Sequence, residues 1–181
     1  MSTAAAIKSG MESALLHIQK ELQGELKEQG HYNTGALYNS IQYQVFSRGS
    51  AVVVGQMTSL DYGIIVEVGV PSGKIPYSGR NGRGGKSKYI QGLVTFFMHK
   101  GLDEKSALGA AFATANVQRQ EGMPTAGSYR FSNNGRRTHF VSETLENNLD
   151  VITRILEEKT GAILQLQFPP SIRMEAMTFQ V

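Results

Sequence analysis

The chain has no cysteine among its 181 residues. This excludes disulfide stapling, thiolate metal sites and a cysteine nucleophile, and it fits a reducing compartment. Charge is also sparse: Asp, Glu, Lys and Arg make up 18% of the residues, against about a quarter in ordinary globular chains. Part of the surface is therefore expected to be buried against partners, with loops rich in the 20 glycines as the plain alternative. No apolar run approaches the roughly 20 residues needed to span a membrane. The first twenty residues carry an apolar stripe rather than an unbroken apolar stretch, so they do not read as a signal peptide.

Acidic residues are missing from two long stretches. None lies between Glu67 and Asp103, where Lys74, Arg80, Arg83, Lys86, Lys88 and Lys100 are all basic. None lies between Glu121 and Glu143, where Arg130, Arg136 and Arg137 stand. By contrast, Glu143 to Lys159 holds Glu143, Glu146, Asp150, Glu157 and Glu158 against Arg154 and Lys159. Basic loops thus alternate with an acidic helix. A chain built this way can meet copies of itself, basic to acidic, or meet a phosphate backbone.

The length predicts one domain, residues 1–168 with a tail over 169–181. The fold class expected is α+β: a small, mostly antiparallel sheet of about four strands, packed with three to four helices. Ile7, Met11, Leu15, Ile18, Leu22 and Leu26 recur on one helical face, so residues 3–29 read as a helix, ended by Gly30. Residues 34–40 read as a turn. Alternation predicts strands at 41–46 and 51–56, joined as a hairpin across Arg48-Gly-Ser. Tyr62 to Val68 reads as a third, more buried strand, with Glu67 facing away from its apolar neighbours towards solvent or an interface.

Residues 70–88 form a long loop. A helix over 89–100 follows, with Leu93, Phe96 and Phe97 inward, and Asp103 is placed to cap the next one. That helix runs to about Gln120 with Leu108, Ala111, Phe112 and Ala115 on one face, and its alanines predict close packing against another helix. A second long loop spans 121–137. A helix over 140–159 and a last strand at 163–168, stopped by Pro169-Pro170, complete the pattern. This last strand is expected to return to join the first three.

The motif that invites a chemical reading is Gly79 to Ser87, GRNGRGGKS. A phosphate-cradling loop needs glycine five positions before its Gly-Lys-Ser, and that position is Arg80. The stretch also does not leave a strand directly. It reads better as a basic arm, or as a solvated loop with no partner. His17, His31, His99 and His139 form no metal-ligand spacing, and His17 falls off the apolar stripe as a surface residue. No nucleophile elbow appears. No catalytic, cofactor or metal residue is assigned. The residues singled out for contact with a partner or with DNA are Lys74, Arg80, Arg83, Lys86 and Lys88, an acidic protein neighbour being favoured.

The order of elements also resembles a known family. Thr34-Gly35-Ala36-Leu37-Tyr38-Asn39-Ser40 is followed by Tyr62-Gly-Ile-Ile-Val-Glu67-Val-Gly69, then by Gly101-Leu-Asp-Glu-Lys-Ser-Ala107 through Glu121-Gly-Met-Pro124, with Arg136, Arg137 and Phe140 beyond. Over roughly residues 3–168 this is similar to the small neck or tail-completion proteins of tailed bacteriophages, which join the DNA-filled head to the tail. The chain departs from that pattern in its insertions at 70–88 and 125–137 and in its tail after Pro169.

The resemblance implies a non-enzymatic virion protein without cofactors, present in the host cytoplasm during assembly. It implies a ring of identical subunits, six- or twelve-fold, around the DNA channel. The partners would be connector or head-completion proteins on one side and tail or tail-terminator proteins on the other, with non-specific DNA in the lumen and no membrane. A tail terminator or other tail-capping ring is the neighbouring alternative. A free nucleic-acid-binding protein is a reading from a different class, and a salt-dependent gel shift of the monomer distinguishes it.

Overall fold

A computed structural model describes residues 3–48, 52–79 and 87–161. The chain divides into two compact units: residues 1–68 with 138–181, and the intervening residues 69–137. Both long loops of the sequence reading fall in the second unit.

The first unit is built on two long helices, α1 (Thr3–Glu28) and α6 (Phe140–Thr160). They lie antiparallel. A Cβ placed on Gly10 would meet the Lys159 side chain at 3.1 Å, His17 Nε2 sits 2.8 Å from Asn148 Oδ1, and Gln29 Nε2 donates to the Thr138 carbonyl at 2.9 Å. The buried face of α1 is Ala14, Ile18, Leu22 and Leu26, met by Phe140, Ile152 and Leu156 of α6. Each large aliphatic side chain buried in such a seam contributes about 1.5–3 kcal/mol. His17 is half-buried here, rather than the surface residue expected, because its ring bonds to α6.

Residues 34–40, expected as a turn, close into a short helix α2 (Ala36–Ser40) that buries Leu37. The hairpin forms as expected. Strand β1 (Gln42–Arg48) pairs antiparallel with β2 (Val52–Thr58), Gln42 opposite Thr58 and Arg48 opposite Val52. β2 crosses α1 closely: a Cβ on Gly55 would come within 2.7 Å of Leu15 Cδ1 and 2.9 Å of Met11 Sδ. Only glycine admits that approach.

The expected third strand is not a strand. Gly63–Val68 is a helical turn, α3, opened by bonds from Gly63 N to Leu60 O and from Ile65 N to Tyr62 O. Gly63 and Glu67, four residues apart, are its buried positions, which is the helical spacing and not the alternating one. The protein is therefore a mixed helix-and-sheet fold, with a two-stranded antiparallel sheet among the described residues. The strand expected at 163–168 lies outside the described residues.

The second unit is a helical hairpin with loops. α4 (Lys88–His99) is capped by Ser87, whose hydroxyl accepts from Ile90 N, and α5 (Glu104–Glu121) by Asp103. The alanine prediction holds: Ala107, Ala111 and Ala115 are fully buried, together with Ile90 and Val94. Of the expected inward residues, Leu93, Phe97 and Leu108 are partly buried, whereas Phe96 and Phe112 are each 40% exposed. The buried stripe on α4 runs one turn-position away from the one expected, because α5 presents alanine and admits Ile90 and Val94 close to its backbone. A 3-10 turn at Ser72–Lys74 leads to buried Ile75, and Val70 and Met123 bond to each other in both directions at 2.7 Å. Gly122, at φ 87°, precedes that bridge. A Cβ there would lie 2.5 Å from the Val70 carbonyl oxygen, so glycine is required.

Candidate functional site

The second unit concentrates the positive charge. Residues 69–137 contain eleven Lys and Arg against three Asp and Glu, a net of +8; the remaining residues contain seven against twelve, a net of −5. Together these give the chain's +3. Of the five contact residues expected from sequence, Lys74 closes the 3-10 turn and Lys88 opens α4, both exposed. Arg80, Arg83 and Lys86 lie outside the described residues.

Further basic residues of this unit are placed by its helices and second loop. Lys100, Lys105, Arg119, Arg130 and Arg136 are exposed, and Arg137 is half-buried. Arg119 lies against Gly79, where a Cβ would stand 3.2 Å from its Nε. Burial draws the Arg137 pKa below the ordinary arginine value, with nearby Tyr129 acting in the opposite direction. A guanidinium starts so high that the side chain stays charged.

Apolar side chains are interleaved with this charge. Phe131 is 62% exposed, and Phe96, Met98, Phe112 and Tyr129 are also exposed. The Arg130 guanidinium carbon lies 4.7 Å from the centre of the Phe131 ring, and Lys100 Nζ lies 5.6 Å from that of Phe96. Arginine and exposed aromatic rings together are the residues that dominate the centres of protein interfaces. They also suit stacking against bases. The Tyr129-Arg130-Phe131 group sits on a 3-10 turn, Ala126–Phe131. It is invisible to periodicity, because so short a turn carries no repeat. The only available signal is the run of aromatic, basic, aromatic in an acid-free stretch.

The inner polar contacts of this unit are structural. The Tyr89 hydroxyl donates to Gln118 Oε1, tying α4 to α5, and burial raises its pKa. Asp103 Oδ1 accepts from Lys105 N at 3.0 Å and Ser106 N at 3.2 Å, and the bonds from Ser106 and Lys105 hold its carboxyl below the usual carboxylate range.

In the first unit, the buried carboxylate of Glu67 is also structural. It accepts from Val141 N at 2.7 Å, Ser142 N at 3.2 Å and Ser142 Oγ at 2.7 Å, closing the N-terminus of α6. The outward-facing Glu67 expected from a strand is thus an inward helix cap.

Among the described residues no group of three or more His, Asp or Glu side chains is placed to hold a metal ion. No helix among them is long and apolar enough to cross a membrane. Comparison with protein-family models, with curated proteins and with solved structures finds no match for this chain.

Proposed function

We propose that this protein is a structural subunit of the neck of a tailed bacteriophage, forming a homo-oligomeric ring that joins the head or connector to the tail. The observation that carries the reading is the division of charge: a unit of net +8 set into a chain whose remainder is −5. Opposite charge on two units of one chain lets identical subunits attract one another. Electrostatic complementarity of this kind fixes orientation and speeds encounter. The exposed Arg130–Phe131 and Lys100–Phe96 pairs supply apolar area in the same unit, which charge alone does not. The order of sequence motifs adds the viral context. In this reading the protein performs no catalysis.

The test is made on particles. Antibody labelling should place the protein at the head–tail junction of purified virions, and particles lacking it should accumulate as separate heads and tails. Its absence from purified virions would overturn the proposal, and labelling at the far end of the tail would move it to another ring. The same positive unit with exposed aromatic rings favours a second reading, direct binding of nucleic acid. Monomeric protein that retards DNA with strong salt dependence, and never self-associates, would favour that reading instead.

A further inference from the structure

The first unit holds an apolar cleft of about 570 Å³ between α1, α6 and the end of β2. Thr58 and Ser59, both exposed, are the only polar residues of its wall among the described residues. Protein cores are packed to the density of organic crystals, so an apolar cleft of this size opening onto a core calls for an occupant. An apolar wall offers polar ligands nothing to bond.

β2 lines the cleft with Gly55, Met57 and Thr58, whereas no described residue of β1 lines it. The cleft therefore lies on the side of β2 away from β1. An unpaired edge is a template for another strand, and a lone two-stranded hairpin is marginal without one or without helix packing.

We infer that the occupant is the segment that follows α6, residues 163–168, added as a strand to the free edge of β2 with Leu164, Leu166 and Phe168 seated in the cleft. The chain is delivered to the right place. Leu156, one turn before the end of α6, already lines the cleft, and Gly161 ends that helix in the left-handed conformation, φ 67°, which turns the chain. The sequence Ile163-Leu-Gln-Leu-Gln-Phe168 puts Leu164, Leu166 and Phe168 on one side and Gln165 and Gln167 on the other, as a half-buried strand requires. Six residues extend about 20 Å, close to the length of seven-residue β2. Pro169 and Pro170 then prevent the ladder from continuing. A tether of two residues keeps the segment at high effective concentration, which favours the chain's own segment over a neighbour's.

Hydrogen exchange on the full-length protein reads this directly. The amides of 163–168 should exchange at least about tenfold more slowly than those of 171–181. Equal, unprotected exchange in both would overturn the inference. The absence of cysteine permits a second measurement. Met57→Cys is combined in turn with Leu164→Cys, Leu166→Cys and Phe168→Cys, since a disulfide needs Cα atoms closer than about 7 Å. One of the three pairs should close within a single chain under mild oxidation. A link formed only between chains would overturn assignment to the chain's own segment, and no link in any pair would overturn placement at the β2 edge.

Discussion

At the scale of single residues, two carboxylates organise helix starts, and they differ in burial. Glu67 is 5% exposed and answers three donors at the first turn of α6. Removing it leaves buried amides without an acceptor. Glu67→Ala should therefore cost about 2–3 kcal/mol, measured as a lower urea midpoint, while Glu67→Gln, which keeps one acceptor oxygen, should cost less. Asp103 is exposed, and hydrogen bonds depress its pKa in the folded state below the ordinary 3.8. A group depressed on folding stabilises the fold above its unfolded pKa and loses that contribution as pH falls through its folded pKa. The first turn of α5 should thus hold above pH 3.8 and loosen below it. In Asp103→Asn, whose amide oxygen caps without titrating, that loosening should disappear. The amide signals of Lys105 and Ser106, followed through an acid titration, check this.

At the scale of elements, the helices were legible because their apolar residues recur over many turns. α1, α5 and α6 lie within one or two residues of the expected bounds, and Asp103 announced its cap. The run Tyr62-Gly-Ile-Ile-Val-Glu-Val was misread because so short an apolar stretch fits strand and helix alike. What decides it is tertiary: a helical turn brings Gly63 and Glu67 inward together, and only then does the Glu67 carboxylate reach the amides of α6. No local signal carries that contact, which spans 74 residues. The α4–α5 pair gives a prediction of opposite signs. Ala111 is fully buried, so Ala111→Leu should overpack the pair and cost about 1–3 kcal/mol. Gly109, two residues away, would meet nothing within 4 Å with a Cβ added. Gly109→Ala should stabilise by about 0.5–1 kcal/mol. Thermal unfolding of the two variants should move in opposite directions.

At the scale of the whole molecule, the acid-free stretches were visible in the sequence, but their gathering into one compact unit was not, because it depends on the Val70–Met123 bridge that joins distant ends. That gathering separates self-assembly from nucleic-acid binding. Lys105→Glu, Arg130→Glu and Arg136→Glu, all at exposed positions, together lower the second unit from +8 to +2. Glu146→Lys, Asp150→Lys and Glu158→Lys, exposed on α6, raise the remainder from −5 to +1. If subunits attract through opposite charge, both triple variants should weaken self-association. The wild type should weaken likewise as salt rises from 0.1 to 1 M and the screening length falls from about 10 Å to 3 Å. DNA responds differently, because a polyanion is attracted by net positive charge. The first variant should bind DNA more weakly than wild type and the second more tightly. Sedimentation and gel retardation on the same three proteins therefore distinguish the readings. A second variant that assembles normally yet binds DNA at least about tenfold more tightly would remove charge complementarity between subunits and leave the nucleic-acid reading.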